Sequence, residues 1–236
     1  MAQELGRVHR PAAEPYQGKR KLLLVPLLYT PHTDDESGSI IVTKYWDQVS
    51  TQTGALEASL GGLSHVYCES LVDGGEEGLK YLKMADEHSH SLVQSKCEAG
   101  AVLESTEDRE TLLEIVDLQR FLVTPVASQK VANRIQEWFN ESNRGRYEHI
   151  AGRIDETLQT GETGLLLISE RHQVQFPSDI EVFYVAPPAL DEYRRWLQNW
   201  VARQQQPAAD SDEPEQNGAE EQPEGDQGEG ENQAQE

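Results

Sequence analysis

The sequence predicts an α/β domain, a mostly parallel sheet flanked by helices, with a helical segment in the middle of the chain and a disordered acidic tail after it. Three observations carry this. Short apolar runs bounded by turn residues recur along the chain, as buried strands do. Stretches with apolar side chains at helical spacing alternate with those runs, the pattern of parallel strands joined by helical crossovers. After Arg203 the chain changes character altogether: DSDEPEQNGAEEQPEGDQGEGENQAQE holds no Lys or Arg and no apolar side chain larger than Ala. Such a segment buries too little surface to offset its ordering entropy, so residues 204–236 are expected to be disordered.

Residues 1–18 are polar, contain Pro11 and Pro15, and read as a loose arm. The domain is expected over 19–203. Its first strand is Lys21–Tyr29 (KLLLVPLLY), in which Pro26 cannot donate to a ladder and so predicts an end near Val25 or an irregularity there. A helix fits Ile40–Leu60, stopped by Gly61-Gly62. Leu63–Leu71 reads as the second strand, Glu76–Cys97 as a helix and Gly100–Ser105 as a short third strand. Three helical stripes follow: Leu112 to Leu122, Val131 to Phe139 with Pro125 opening the helix, and Tyr147 to Leu158, ended by Gly161. Leu165–Ile168 and Ile180–Val185 are the last strands. Tyr193, Trp196, Leu197 and Trp200 give a final helix, Leu190–Arg203, one aromatic face.

The balance of charge narrows the partners. The chain carries 42 acids and 20 bases, a net charge of −22. Eleven of the acids lie in Asp210–Glu236, which leaves the remainder at −11. An acidic domain without a strong basic patch excludes nucleic acid as a partner, while the tail suits a basic one. No apolar run is long enough to span a membrane. Cys68 and Cys97 lack the spacing of a redox or metal motif, and the polar N-terminus lacks the apolar stretch of a signal peptide. The expectation is a cytoplasmic protein with reduced thiols and no membrane partner.

Several stretches could carry chemistry. Asp73-Gly74-Gly75-Glu76-Glu77-Gly78 follows a strand and opens a helix, as phosphate-binding turns do. It lacks the required glycine order and any Gly-Lys-Ser/Thr, and Glu76 and Glu77 would repel a phosphate at the helix N-terminus. Asp86, Glu87, His88 and His90 offer metal-ligating groups, but residues two apart on a helix diverge. Asp86 with His90 supplies only two ligands, so a solvated helix face explains them better. Glu69 and His172 are different. Glu69 ends a strand in an apolar context (HVYCESL), and His172 follows another in Ser169-Glu170-Arg171-His172. At the carboxyl edge of one sheet, where open α/β folds bind ligands, they would form an acid–base pair or the start of a metal site. The competing reading is a structural His and a Glu paired with an Arg. If the two are paired directly, the carboxylate should raise the imidazole above its usual value of about 6.5.

Val66-Tyr67-Cys68-Glu69-Ser70-Leu71, the helix around Arg144-Gly145-Arg146-Tyr147, and Leu165–His172 together resemble the TraB pheromone-shutdown family. Its relatives, the Tiki proteases and erythromycin-esterase-like proteins, look similar. In that family an early strand ends in G-x-x-H, an acidic strand reads roughly V-x-V-E-L, an Arg-bearing helix follows, and a late strand ends in a second G-x-x-H. The likeness covers about residues 21–185. This chain has Tyr29 where the first His is expected and Ser169 in place of the second Gly, with His32 three residues into the loop. The resemblance implies a hydrolase, and in some members a metal-dependent one, acting on a small molecule or a peptide. Glu69, His172, Arg144 and Arg146 would form its catalytic set. His172 would be general base or metal ligand, Glu69 its partner, and Arg144 or Arg146 the holder of an anionic group or oxyanion. A divalent metal, if used, would fall to His172, Glu69 and His32. The alternative is a non-catalytic interaction or regulatory protein that retains the fold.

Overall fold

The computed structural model describes residues 16, 18–28 and 36–205. Most of the N-terminal arm, Tyr29, His32 and the acidic tail from residue 206 onward lie outside the described residues.

Among the described residues, five strands and six helices make the domain. They are β1 (Arg20–Pro26), α1 (Glu36–Leu60), β2 (His65–Cys68), α2 (Gly75–Ala85), α3 (Glu87–Glu98), β3 (Val102–Leu103), α4 (Arg109–Val123), α5 (Gln129–Thr157), β4 (Thr163–Ile168), β5 (Ile180–Tyr184) and α6 (Pro188–Gln205). The strands form one sheet in the order β3-β2-β4-β1-β5, and every neighbouring pair is parallel. The expected α/β architecture is what the chain adopts.

A sheet covered on both faces needs apolar residues at every strand position, which is why β1 and β4 read as continuous runs. Along β1 the side chains alternate between two cores. Leu23 and Val25 point to one formed with Val42, Tyr45 and Val49 of α1, Leu92 and Val93 of α3, and Tyr193 and Trp196 of α6. Leu22 and Leu24 point to the other, where Ile150, Ile154 and Leu158 close the opposite face. Gly38 is required by this packing: a Cβ there would lie 2.3 Å from the Trp196 ring.

Pro26 ends β1. The Lys21 and Leu27 N–H groups donate to Glu162 and Ile168 on the β4 side, so by alternation the Pro26 ring replaces a donor facing β5. There β5 has already ended opposite Leu24, and the ring costs no ladder bond. Its carbonyl accepts the Tyr45 hydroxyl at 2.5 Å, and burial pushes the Tyr45 phenol well above its ordinary range.

Four boundaries differ from expectation. The helix foreseen over 76–97 is two, because Asp86 leaves the helical conformation and accepts the amides of His88 (3.3 Å) and Ser89 (2.9 Å) as the N-cap of α3. Pro125 lies in the connection between α4 and α5 and opens no helix; α5 begins after Ser128. The second and third stripes are one helix of 29 residues, about 43 Å long. Its buried residues, Ser142, Arg146, Ile150 and Ile154, recur every fourth position in the second half alone. The first half is largely exposed and packs against α4. Gln204 and Gln205, assigned to the tail, belong to α6.

Candidate functional site at the carboxyl edge

Glu69 and Ser169 are brought side by side by the β2–β4 ladder. Cys68 is in register with Leu167, and the Glu69 amide still donates to the Leu167 carbonyl at 2.8 Å. From β2 the chain turns into α2 on the α1 face, with Leu71 and Leu82 in that core. From β4 it turns onto the α5 face, where Val174 and Phe176 join the other core. Neighbouring parallel strands whose continuations leave on opposite faces open a crevice between their carboxyl ends, the usual ligand position in such sheets.

The floor of that crevice is a three-residue charge network. Arg146 Nη2 donates to Glu69 Oε1 at 3.0 Å, and Arg146 Nε donates to both oxygens of Glu107 at 2.9 Å. Glu69 Oε2 accepts the Ser169 amide at 2.6 Å, and Glu107 Oε1 accepts the Ser70 amide at 2.9 Å. All three side chains are buried. Burial works against the Arg146 charge, but its bonds to Glu107 and the charges of Glu107 and Glu69 outweigh it, so the guanidinium is held above its ordinary pKa. Two carboxylates share one guanidinium.

Above this floor lies an open cleft of about 1020 Å³. Ser169, Arg171 and Gln173 border it from the β4–β5 loop, and Asn140, Asn143 and Tyr147 from α5. Leu112, Ile115 and Val116 of α4, with Phe139, give it one apolar wall. Two smaller cavities, of 350 and 200 Å³, meet the same corner at Ser70.

The sequence-predicted residues divide. Glu69 and Arg146 come together in the floor. Arg144, two positions along α5, is exposed and does not line the cleft. His172 sits in the loop beside the cleft without lining it; its ring is half-buried, with Phe176 at 6.0 Å between centroids. Its Nδ1 accepts the Val174 amide at 3.3 Å, which places the ring proton on Nε2. No hydrogen bond joins it to Glu69. The expected upward shift of His172 is therefore corrected: desolvation lowers its pKa below 6.5, and the attraction of the more distant Glu69 charge only partly offsets this.

Of the metal ligands that the resemblance implies, Glu69 and His172 are among the described residues and His32 is not. The described residues form no group of three or more His, Cys, Asp or Glu that could hold an ion. The Glu69 oxygens already serve Arg146 and the Ser169 amide, and His172 Nδ1 serves a backbone amide. Asp86 is a helix cap, and His88 stacks parallel to Trp46 at 6.5 Å. In the 73–78 turn, Gly74 and Gly78 are explained by packing, since a Cβ on Gly74 would lie 2.6 Å from the Leu103 carbonyl and one on Gly78 2.4 Å from that of Asp73, and Gly75 by its positive φ of 57°.

Glu107 and Ser70 were not foreseen. Glu107 follows Glu104 and precedes Asp108, and nothing local separates the three. Yet Glu104 pairs with His65, Glu107 with Arg146, and Asp108 caps α4 through Thr111. No protein-family model, curated protein or solved structure matches this chain. Among the described residues, no helix is long and apolar enough to cross a membrane.

Proposed function

We propose that this chain is a degenerate relative of the TraB and erythromycin-esterase-like hydrolases, whose cleft binds a small molecule or peptide without cleaving it. The observation that supports this reading is the engagement of both expected catalytic groups. Glu69 holds Arg146 and the Ser169 amide, and His172 turns its unprotonated nitrogen to the backbone of its own loop. A general base must reach the proton that it abstracts, and neither group is disposed to do so. The cleft itself has the attributes of a ligand site: its place at the switch point of a parallel sheet, an apolar wall and a ring of convergent polar groups. The motif departures at Tyr29 and Ser169 point the same way.

The test is turnover. Purified full-length protein would be assayed against p-nitrophenyl acetate, p-nitrophenyl phosphate and leucine p-nitroanilide, with and without added zinc or magnesium ions. The expected result is a rate no greater than that of the Glu69→Gln variant. A rate that Glu69→Gln and His172→Ala both abolish would contradict the proposal and restore the hydrolase.

A further inference from the structure

α4 is apolar at eight of its fifteen positions, more than a single neighbouring helix can cover. Its principal neighbour is α5. Trp138 Nε1 donates to Glu114 Oε1, which fixes the level and the side at which these two antiparallel helices meet. Seven residues make two helical turns. Phe121 therefore lies on the Glu114 side of α4, seven residues on, and Val131 on the Trp138 side of α5, seven residues back. Phe121, Val131 and Trp138 thus share one face of the hairpin, and each is about half exposed. Val123 and Val126, also exposed, add apolar surface at its tip. The cleft uses other positions of the same helices, Leu112, Val116, Asn140 and Asn143, so this face lies outside it.

We infer that a second copy of this chain docks on that face, joining two hairpins into a four-helix bundle. Charge selects the occupant. Residues 109–141 hold five acids and four bases, in a chain whose net charge is −22. Two copies repel one another through most of their length, and the hairpin is the nearly balanced stretch where that repulsion is least. A basic partner would be drawn to the acidic remainder instead. The face is also complementary to itself. Asp117 borders it on α4, three residues after Glu114, and Arg134 borders it on α5, three residues after Val131. The two stand at about the same level of the hairpin. A twofold axis along the hairpin lays α4 of each copy on α5 of the other. That places Asp117 opposite Arg134 twice, and Phe121 opposite Val131. Within one copy these charges are held by exposed neighbours on their own helices, Arg120 at 2.9 Å from Asp117 and Glu137 at 3.2 Å from Arg134. Such pairs contribute little and yield readily to a new contact.

Sedimentation velocity of the full-length protein, from low micromolar to several hundred micromolar, reads the mass in solution. The expected result is a reversible rise from the 26.5 kDa chain to twice that mass, with the Trp138 indole N–H signal shifting over the same range. Phe121→Asp combined with Val131→Asp should abolish the rise. It should leave the melting temperature within a few degrees, because both side chains are already half in water. Arg134→Glu should weaken association about tenfold by setting like charges across the contact, and adding Asp117→Arg should restore it. A dimer that survives the Phe121→Asp, Val131→Asp pair would overturn this face as the contact. One unmoved by Arg134→Glu would overturn the twofold that lays α4 on α5. A monomer at every concentration would overturn the second copy and leave the face to a different protein, and growth beyond two copies would overturn a closed pair.

Discussion

Arg20 and Arg146 each hold two carboxylates, at opposite edges of the same sheet. At the amino edge, Arg20 bonds Asp179 through Nε and Nη2, both at 2.8 Å, and reaches Asp155 at 2.7 Å and the carbonyls of Asp155 and Leu158. Its partner carboxylates are 54% and 62% exposed, so water shares the work of solvating them. At the carboxyl edge, the side chains of Glu69 and Glu107 are 5% and 1% exposed, and Arg146 is their principal counterion. The amino-edge cluster ties β1 to the end of α5 and to the turn before β5. The carboxyl-edge cluster floors a cleft and shapes the backbone beside it. Equal stoichiometry does not mean equal consequence. Burial makes removal of one partner costly, and the polarity of a parallel sheet decides which edge faces a ligand.

The largest effect expected is that of Arg146→Met, which leaves two buried carboxylates without their guanidinium. A loss of about 3–5 kcal/mol is expected from breaking such a cluster, read from urea denaturation at neutral pH. A loss below 1 kcal/mol would place the network in contact with water and erase the distinction between the edges. Glu107→Gln should follow, at about 1.5–3 kcal/mol, the range for a hydrogen-bonded charge. It should also loosen the turn at Ser70, visible as faster amide exchange there than at the amino edge. Arg20→Met should cost about 1 kcal/mol, since its ion pairs are exposed. Its effect should shrink with added salt, while that of Arg146→Met should not.

Most of the fold was legible because it is written in local patterns. Continuous apolar runs marked β1 and β4, helical spacing marked α1 and α6, and Gly61 marked the stop of α1. Sheet order was not legible: which strand lies beside which depends on crossovers that leave no local trace. Asp86 shows how a signal can be present and overridden. An Asp three residues before Ser89 is a capping pattern, but the flanking apolar spacing continues through it and reads as one helix. At the site, Glu69 stood out because an acid ending an apolar strand is unusual. Glu107 did not, because three acids in five residues share one composition and have three different partners. His172 was correctly placed near the edge and wrongly paired. Its position follows from β4, whereas its orientation depends on Phe176 and on the Val174 amide, which belong to the return path of the loop.

A small pH effect sharpens the same point. Because folding lowers the pKa of His172, the unfolded chain binds its proton more readily. The contribution of this residue to stability is complete above the unfolded value of about 6.5 and is lost as pH falls through the folded value. His172→Gln should flatten the stability profile below about pH 6.5 without affecting it above about pH 7.

The central claim is that Glu69 belongs to Arg146 and Ser169 and is not the partner of His172. An NMR titration of the His172 ring in the wild type and in Glu69→Gln tests it most directly. The predicted result is a midpoint below 6.5 in the wild type, moving slightly lower in Glu69→Gln as the distant attraction is removed. A wild-type midpoint above 6.5 that falls by a full unit or more in Glu69→Gln would make the two residues a direct acid–base pair and contradict this account.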